Sequence, residues 1–389
     1  MRRFWVILAG LASAGPVAAQ SLVAARGLGL VHDGWTAAAR ALGGEGGRTE
    51  PGASLRNPAF LVGLRAPLGM VTFEQGRVRS DWRGERVSTA SARFPALQVA
   101  FPLHPRAAVA VGYRGWLDQT WAFERHDTLV VDADTLPYRD RIASDGGVAA
   151  LQLSGGWAPG QRLAVGAGLE IYTGATTRRI DREFAVPCGG FGQPAPACFR
   201  ARYEYRGVGA VAGLRWVPLD PLAVAVFARV GGTLRAVPQD TAGQERRFRL
   251  PVVLGGGATA RLSPRLLANV AASWGGWARV ADGLGAADAA RDTWEAGGGV
   301  EWALAGGARA LPLRLGARYA QLPFLRTTAL GATDVDRGPL SETVLAVGTG
   351  RAFGSAILDL AVEWGRRSGT APLREAFLRW SASLQVQTR

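Results

Sequence analysis

Lysine is absent from this 389-residue sequence: its 45 basic side chains are all arginine, set against 31 carboxylates for a formal charge of +14. An arginine-only basic set in an Ala-, Gly- and Pro-rich chain reads first as codon usage, and no basic helix, stacking array or zinc spacing accompanies it. Nucleic acid is therefore excluded as a partner. Cysteine is limited to Cys188 and Cys198; two ligands alone make a poor metal site, so no metal and no other cofactor is expected. Long hydrophobic runs are missing after residue 20, because Gly, Arg or a polar residue cuts each one within about a dozen positions, too short for a spanning helix. That excludes a polytopic helical membrane protein. Histidine occurs three times, as His32 in the N-terminal segment, His104 in a tight turn and His126 in a long loop; none is expected inside a strand, where a hydrolytic site would need its base beside a Ser and a polar orienter, and His126-Asp127 matches a protease rim in composition only. No catalytic residue is assigned, and the chain is not expected to be an enzyme.

What is abundant is glycine (53) and tryptophan (13), with 48% hydrophobic residues. That mixture fits neither a disordered chain nor a simple globular one. Arg2-Arg3, the apolar run Phe4 to Ala14, Pro16 and Val17-Ala18-Ala19-Gln20 form a secretory signal over 1–20, with cleavage near Ala19 or Gln20. In an oxidising compartment, Cys188 and Cys198, ten apart in a Gly/Pro-rich stretch, read as one disulfide closing a loop.

The rest alternates with a period of two. Ala376, Leu378, Trp380, Ala382, Leu384 and Val386 share one face, while Arg379, Ser381, Ser383, Gln385 and Gln387 share the other. Only a strand has that period. Fourteen such segments follow, at 68–82, 87–103, 106–123, 141–158, 162–180, 199–217, 221–237, 244–261, 264–280, 291–305, 309–322, 339–353, 356–367 and 373–387. Tight connections such as Pro102-Leu103-His104-Pro105 alternate with longer polar ones at 124–140, 181–198, 281–290 and 323–338. Short turns on one side and long loops on the other predict an all-β fold: a transmembrane antiparallel barrel of the bacterial cell outer membrane, with lipid outside and water inside. Trp157, Trp216 and Trp302 near the tight turns, and Trp82, Trp121, Trp277, Trp294 and Trp364 toward the long loops, read as two interfacial belts.

The alternation assigns Glu170, Arg215, Glu295, Glu301, Arg314, Arg318, Asp359, Glu363 and Arg379 to the lumen. There they are expected to pair with one another or with the plug, since an unpaired charge in a narrow lumen is costly. Arg178, Arg179, Arg182, Arg200, Arg202, Arg246, Arg247, Arg366 and Arg367 fall on the long-loop side. They are expected to meet phosphates of lipopolysaccharide or to form a solvated rim. Membrane lipid and lipopolysaccharide are thus the expected partners of a monomer.

Residues 21–67 break the alternation. Ala39-Arg40-Ala41-Leu42-Gly43-Gly44 and Asn57-Pro58-Ala59 suggest a short helix and Gly-rich turns, a unit too small to bury its own core. It is expected to plug the barrel formed by 68–389, with Asn57, Pro58 and Ala59 near the periplasmic mouth and Pro58 ending a helical segment. These elements, with Pro312 to Tyr319, Leu322-Pro323-Phe324 and Glu375 to Ser381, resemble the FadL-type outer-membrane transporters of long-chain fatty acids and aromatic hydrocarbons, whose N-terminal hatch carries an Asn-Pro-Ala element. The closing Gln387-Thr388-Arg389 departs from the terminal aromatic usual in outer-membrane proteins. The resemblance implies passive transport of a hydrophobic or amphipathic small molecule. A non-transporting anchoring or secretion-assembly barrel and a general porin are the alternatives.

Overall fold

The computed structural model describes residues 21–47, 52–82, 84–131, 134–184, 197–240, 243–286, 289–304, 311–327 and 337–388. The leader and Cys188 lie outside the described residues. Fourteen antiparallel strands form one closed barrel. They are β1 (Leu68–Trp82), β2 (Glu85–His104), β3 in two pieces (Ala107–Asp118 and Trp121–Val131), β4 (Asp134–Trp157), β5 (Leu163–Phe184) and β6 (Ala197–Leu219). There follow β7 in two pieces (Leu222–Gly231 and Thr233–Pro238), β8 in two pieces (Arg246–Arg249 and Val252–Ser263), β9 (Leu266–Gly275) and β10 (Thr293–Ala303). The last four are β11 (Pro312–Gln321), β12 (Leu340–Phe353), β13 (Ala356–Gly369) and β14 (Arg374–Gln387). Closure runs from Arg374↔Asp81 to Gln387↔Leu68, so β14 pairs with β1 along its whole length. Closing the sheet removes the unpaired edge that hydrocarbon could not satisfy.

Successive side chains on a strand point to opposite faces, and the exposures follow. On β5, Leu169 and Ile171 are exposed and Glu170 between them is buried. On β14, Leu378 is exposed while Phe377 and Arg379 are buried. The outward face is a band of Leu, Val, Ile and Trp that would meet lipid; the inward face is small, polar or charged.

Three local expectations are corrected. The segment 124–140 is not a loop: Trp121–Val131 pairs with β4 from Trp121↔Ser144 to Val131↔Asp134, carrying the sheet past the apolar band as a hairpin and placing His126 in a strand, opposite Arg139. The segment 264–280 stops being strand at Gly275; Trp277–Val280 and the short helix α1 (Ala281–Leu284) follow. Trp121 and Trp277 are buried, at 2% and 4% exposure, and half-buried Trp82 packs edge-on against Phe123, so these three belong to the interior rather than to a belt. Trp157, Trp216, Trp302, Trp294 and Trp364 do face outward. Trp277 lies in the 3-10 turn beyond the end of β9, and the bulge and break in β3 at 115–120 reverse the parity that would have sent Trp121 outward with Val111.

Candidate functional site

The N-terminal segment threads the lumen from one end to the other. Ser21 caps a 3-10 turn, Leu22–Ala25, accepting from the Val23 amide at 3.2 Å, and its hydroxyl donates to Glu375 at 2.8 Å. Val23, Ala24 and Ala25 pack there against Trp121, Leu340 and Leu373. Gly29, at φ +101°, then turns the chain; a Cβ at that position would lie 2.2 Å from the Asp118 carbonyl. A two-residue strand, Leu30–Val31, pairs with Asp118 and Leu117 of β3. The helix Ala37–Ala41 follows, its N-cap Thr36 accepting from the Ala39 amide at 3.3 Å.

That helix lies against β11–β13, where wall glycines let the two backbones meet. A Cβ on Gly316 would stand 2.5 Å from the Ala41 carbonyl oxygen, and one on Gly297 2.0 Å from that of Gly43. Gly297 and Gly299 are thus contact surface for the hatch, and the run is not a phosphate loop. Lower in the barrel, Asn57 accepts from the Ala59 amide at 3.0 Å, and its Nδ2 donates to the carbonyls of Leu214 and Val226 at 3.2 and 3.1 Å. Pro58 opens the 3-10 turn Pro58–Leu61 instead of ending a helix; at the first helical position its missing N–H costs nothing and its fixed φ already suits the turn. Ala59 is fully buried, and Val62 packs with Ala158 and Ala164 beside a tight turn.

The inward charges form four groups. Arg40 of the hatch helix bridges Glu74 at 2.7 Å and Glu363 at 3.1 Å, while Arg379 grips Glu363 through two bonds of 2.7 and 2.9 Å. Arg314 joins Glu301 and Asp359, each at 2.7 Å. Glu170 takes Arg114 at 3.0 Å, Arg229 at 3.1 Å and the Tyr172 hydroxyl at 2.7 Å. Arg318 pairs with Glu295 at 3.3 Å and with Glu342. Arg215 lies half-buried at the tight-turn end, in a cavity that it shares with Val62. The arrangement follows from desolvation: a buried charge is tolerated only when partners surround it.

The rim assignment of Arg367 needs correction. Arg367 is only 4% exposed and joins Glu342 at 2.7 Å and Glu375 at 2.8 Å; it shares the inward parity of Asp359 and Glu363, so it cannot meet an outside anion. Arg182 is held by Asp140 through two bonds of 2.7 and 2.8 Å, and Arg247 by Glu245 at 2.8 Å. Both pair with protein carboxylates yet keep side-chain exposure of 34% and 63%, so they remain on the rim. Arg179, Arg200, Arg202, Arg246 and Arg366 are exposed and Arg178 is half-buried. Cys198 is exposed, its thiol donating to Asp181 at 3.1 Å.

Between hatch and wall lies a two-sided cavity of about 110 Å³. One side is aromatic and aliphatic, with Trp116, Tyr172, Trp277 and Leu250; the other carries Arg56, Arg229, Arg318, Asp33 and Glu295. Trp116 stacks on Trp277 at 6.1 Å between centroids and tilts against Tyr172 at 4.6 Å. Trp35 of the hatch has Arg56 and Arg318 over its ring, each 5.2 Å from the centroid. Burial pushes the Asp33 carboxyl up, but Arg56, Arg229, Arg114 and Arg318 together hold it below its ordinary value. Among the described residues no donor reaches Asp33 directly, so its charge faces the cavity.

The wall is incomplete on one side. The β2–β3 ladder runs from His104↔Ala107 only as far as Ala96↔Arg114. Beyond that point, among the described residues, β2 pairs with β1 alone and the outer piece of β3 with β4 alone. A bulge between Gly115 and Leu117 turns β3 away, and the hatch strand Leu30–Val31 takes part of the free edge. Side chains bridge this seam. Arg93 of β2 donates to Asp118 of β3 at 3.0 Å and lies 2.6 Å from His32 Nε2, while also pairing with Glu74. Burial, and then the Arg93 charge, push the His32 pKa down to about 4 despite Asp118, so the ring is neutral at neutral pH. Neither the seam nor Asp33 was singled out in the sequence; the cues were Gly115 and the pair Gly146-Gly147, which sit where β3 and β4 lose register.

No protein-family model matches the sequence, and no curated protein matches it. Solved structures do. A Pseudomonas aeruginosa FadL homologue aligns over 90% of this chain and 97% of its own, with a TM-score of 0.55 and 15% identity. The Pseudomonas putida toluene transporter TodX aligns over 92% and 98%, with a TM-score of 0.58 and 14% identity. The Ralstonia pickettii toluene transporter TbuX aligns over 92% and 99%, with a TM-score of 0.52 and 13% identity. The chain therefore has the fold of the FadL-type channels, in diverged form.

Proposed function

We propose that this chain is an outer-membrane channel for hydrophobic or amphipathic small molecules of the long-chain fatty acid or aromatic hydrocarbon kind, which pass between the lumen cavity and the bilayer through the β2–β3 seam. The two-sided cavity carries this reading. Its aromatic wall suits an apolar body, and Arg56, Arg229 and Arg318 suit a carboxylate or polar head where Asp33 now supplies the negative charge. The seam offers an exit in which side chains, not a backbone ladder, are the barrier. The names of the similar structures, two of them toluene transporters, point the same way. A hatch fixed by buried ion pairs disfavours an open hydrophilic porin.

Uptake of labelled long-chain fatty acid and of toluene, in cells lacking their own hydrophobic channel, tests the proposal. Saturable uptake above the empty-vector level is expected. Val253→Trp, which crowds the cavity without touching an ion pair, should lower it by about tenfold, the effect of roughly 1.4 kcal/mol. Uptake at the vector level from a correctly inserted barrel would favour a non-transporting anchor. Passage of glucose-sized solutes at porin rates would favour a general porin.

A further inference from the structure

Arginines on the outward face are distributed unevenly around the barrel. Register pairing places Arg366, Ala376, Arg79 and Ser88 in one row across β13, β14, β1 and β2. The row beyond it holds Arg374, Asp81 and Arg86; the row nearer mid-membrane holds Trp364, Leu378, Arg77 and Ala90. With strands about 4.8 Å apart and residues i and i+2 about 6.8 Å apart, the backbone positions of four arginines lie within about 10 Å of that of the small Ala376. Arg77, Arg79, Arg366 and Arg374 are all exposed. Asp81 is the acid among them, and it accepts from Arg86 at 3.3 Å. Among the described residues no carboxylate engages the other four, in contrast to the inward arginines, nearly all of which are matched.

The same strands carry an apolar strip directly below. Trp364 and Leu378 are 66% and 57% exposed, and Val362, Trp380 and Leu384 continue the strip toward mid-membrane. These ends of the strands lie opposite the tight turns, on the side of the long connections. A cationic cradle above a hydrocarbon-facing strip matches a lipid that carries phosphates over several acyl chains. We infer that Arg77, Arg79, Arg366 and Arg374 form a docking site for lipid A, the phosphorylated anchor of lipopolysaccharide, on the outer wall of β13, β14, β1 and β2. Guanidiniums hold phosphates bidentately, and a partly dehydrated interface strengthens each pair. The inference rests on the outer-membrane placement proposed above but not on transport. Of the nine rim arginines named from the sequence, only Arg366 lies in this cradle.

The test compares three purified barrels: wild type, R77Q/R79Q/R366Q/R374Q, and R178Q/R179Q/R246Q/R247Q, which loses the same charge elsewhere on the rim. Each is titrated in mild detergent with bisphosphorylated lipid A, phosphate-free lipid A and phosphatidylglycerol, and folding is verified by heat-modifiable mobility. The first variant should bind bisphosphorylated lipid A at least about tenfold more weakly than wild type, and the second within about twofold. Phosphate-free lipid A should bind wild type as weakly as the first variant binds the intact lipid. Wild-type affinity in the first variant, equal loss in both variants, or equal binding of phosphate-free lipid A overturns the site. If the first variant fails to fold, the double variant R79Q/R366Q is read by the same criteria. Tighter binding of phosphatidylglycerol also overturns it, assigning the cradle to phospholipid. Substrate uptake by the first variant at the wild-type rate keeps the channel reading separate, whereas a wild-type chain absent from the outer membrane removes the placement on which both readings rest.

Discussion

The two sides of the barrel wall hold the same hatch in opposite ways. Along β10–β13 the ladder is unbroken, wall glycines admit the hatch backbone to contact, and Arg40 is locked between Glu74 and Glu363 with almost no solvent access. Along β2–β4 the ladder stops short, a bulge and two adjacent glycines bend the strands, and Arg93, Asp118 and His32 span the gap with Arg93 20% exposed. Contacts with no solvent alternative open only with the whole unit, whereas side-chain bridges at a broken ladder open locally at lower free energy. The hatch is thus anchored on one side and can part from the wall on the other, which is what a lateral route for an apolar solute requires.

The largest expected effect attacks the anchored side. Gly316→Val puts methyl groups where the hatch backbone stands, with the Ala41 oxygen and Gly43 nitrogen 2.5 and 2.6 Å from even the first carbon. Overpacking against rigid backbone on both sides should cost more than about 3 kcal/mol, the upper end of its usual range. The barrel should still close, conductance to small hydrophilic solutes should rise, and the hatch should become sensitive to protease. A protected hatch and wild-type conductance would show that this contact does not hold it. Glu363→Gln comes next. It leaves Arg40 and Arg379 both leaning on Glu74, and breaking a buried pair of this kind costs about 3–5 kcal/mol. Hydrogen exchange at 37–44 should accelerate while exchange at Leu30–Val31 barely changes; equal acceleration at both would merge the two sides into one unit.

Acid probes the seam alone. Docked His32 has a pKa of about 4 against 6.5 when free. Between those values the undocked ring binds a proton that the docked ring refuses. Docking is therefore full above about pH 6.5 and weakens by about 1.4 kcal/mol per pH unit as pH falls toward 4, where the slope ends. Protection of the Leu30 and Val31 amides should follow that slope, and His32→Gln should flatten it. Protection that is level from pH 7 to 4.5 in the wild type would dismiss the histidine.

Much of this architecture is written in the chain, but not the part that makes the site. A period of two survives in every strand because each faces lipid on one side and the lumen on the other, so fourteen strands and their polarity can be read without a structure. Alternation names which side chains share a face; it cannot name a partner across the lumen, as the Glu363–Arg40 and Glu170–Arg229 pairs show. Where parity was set aside for position along the chain, Arg367 was misassigned; Trp121 and Trp277 were misassigned because a bulge in β3 and the early end of β9 break the alternation. Hatch contacts are hidden for another reason: the wall contributes glycines, whose signal is the absence of a side chain. The seam depends on where pairing between two strands ends, a property of no single segment.

The smallest expected effect is the sharpest test of the comparison. Arg93→Gln removes the cation that crosses the seam, yet orphans nothing: Glu74 keeps Arg40 at 2.7 Å, and Asp118 keeps the Thr120 amide at 2.9 Å. A pair with one partly exposed partner is worth about 1 kcal/mol, so protection at Leu30–Val31 near pH 7.5 should fall about fivefold. The acid response should change as well, and in the opposite sense. Burial is the larger cause of the low His32 pKa and remains, while the Arg93 charge is the second and is lost, so the docked pKa rises part of the way toward 6.5. The window in which acid weakens the seam then narrows from its lower end, and the variant loses less on going from pH 7 to 4.5 than the wild type does. Exchange at 37–44 should stay at its wild-type rate, because Arg40, Glu363 and Arg379 are untouched. If it accelerates in step with Leu30–Val31, Glu74 couples the seam to the anchored side and the two are one device.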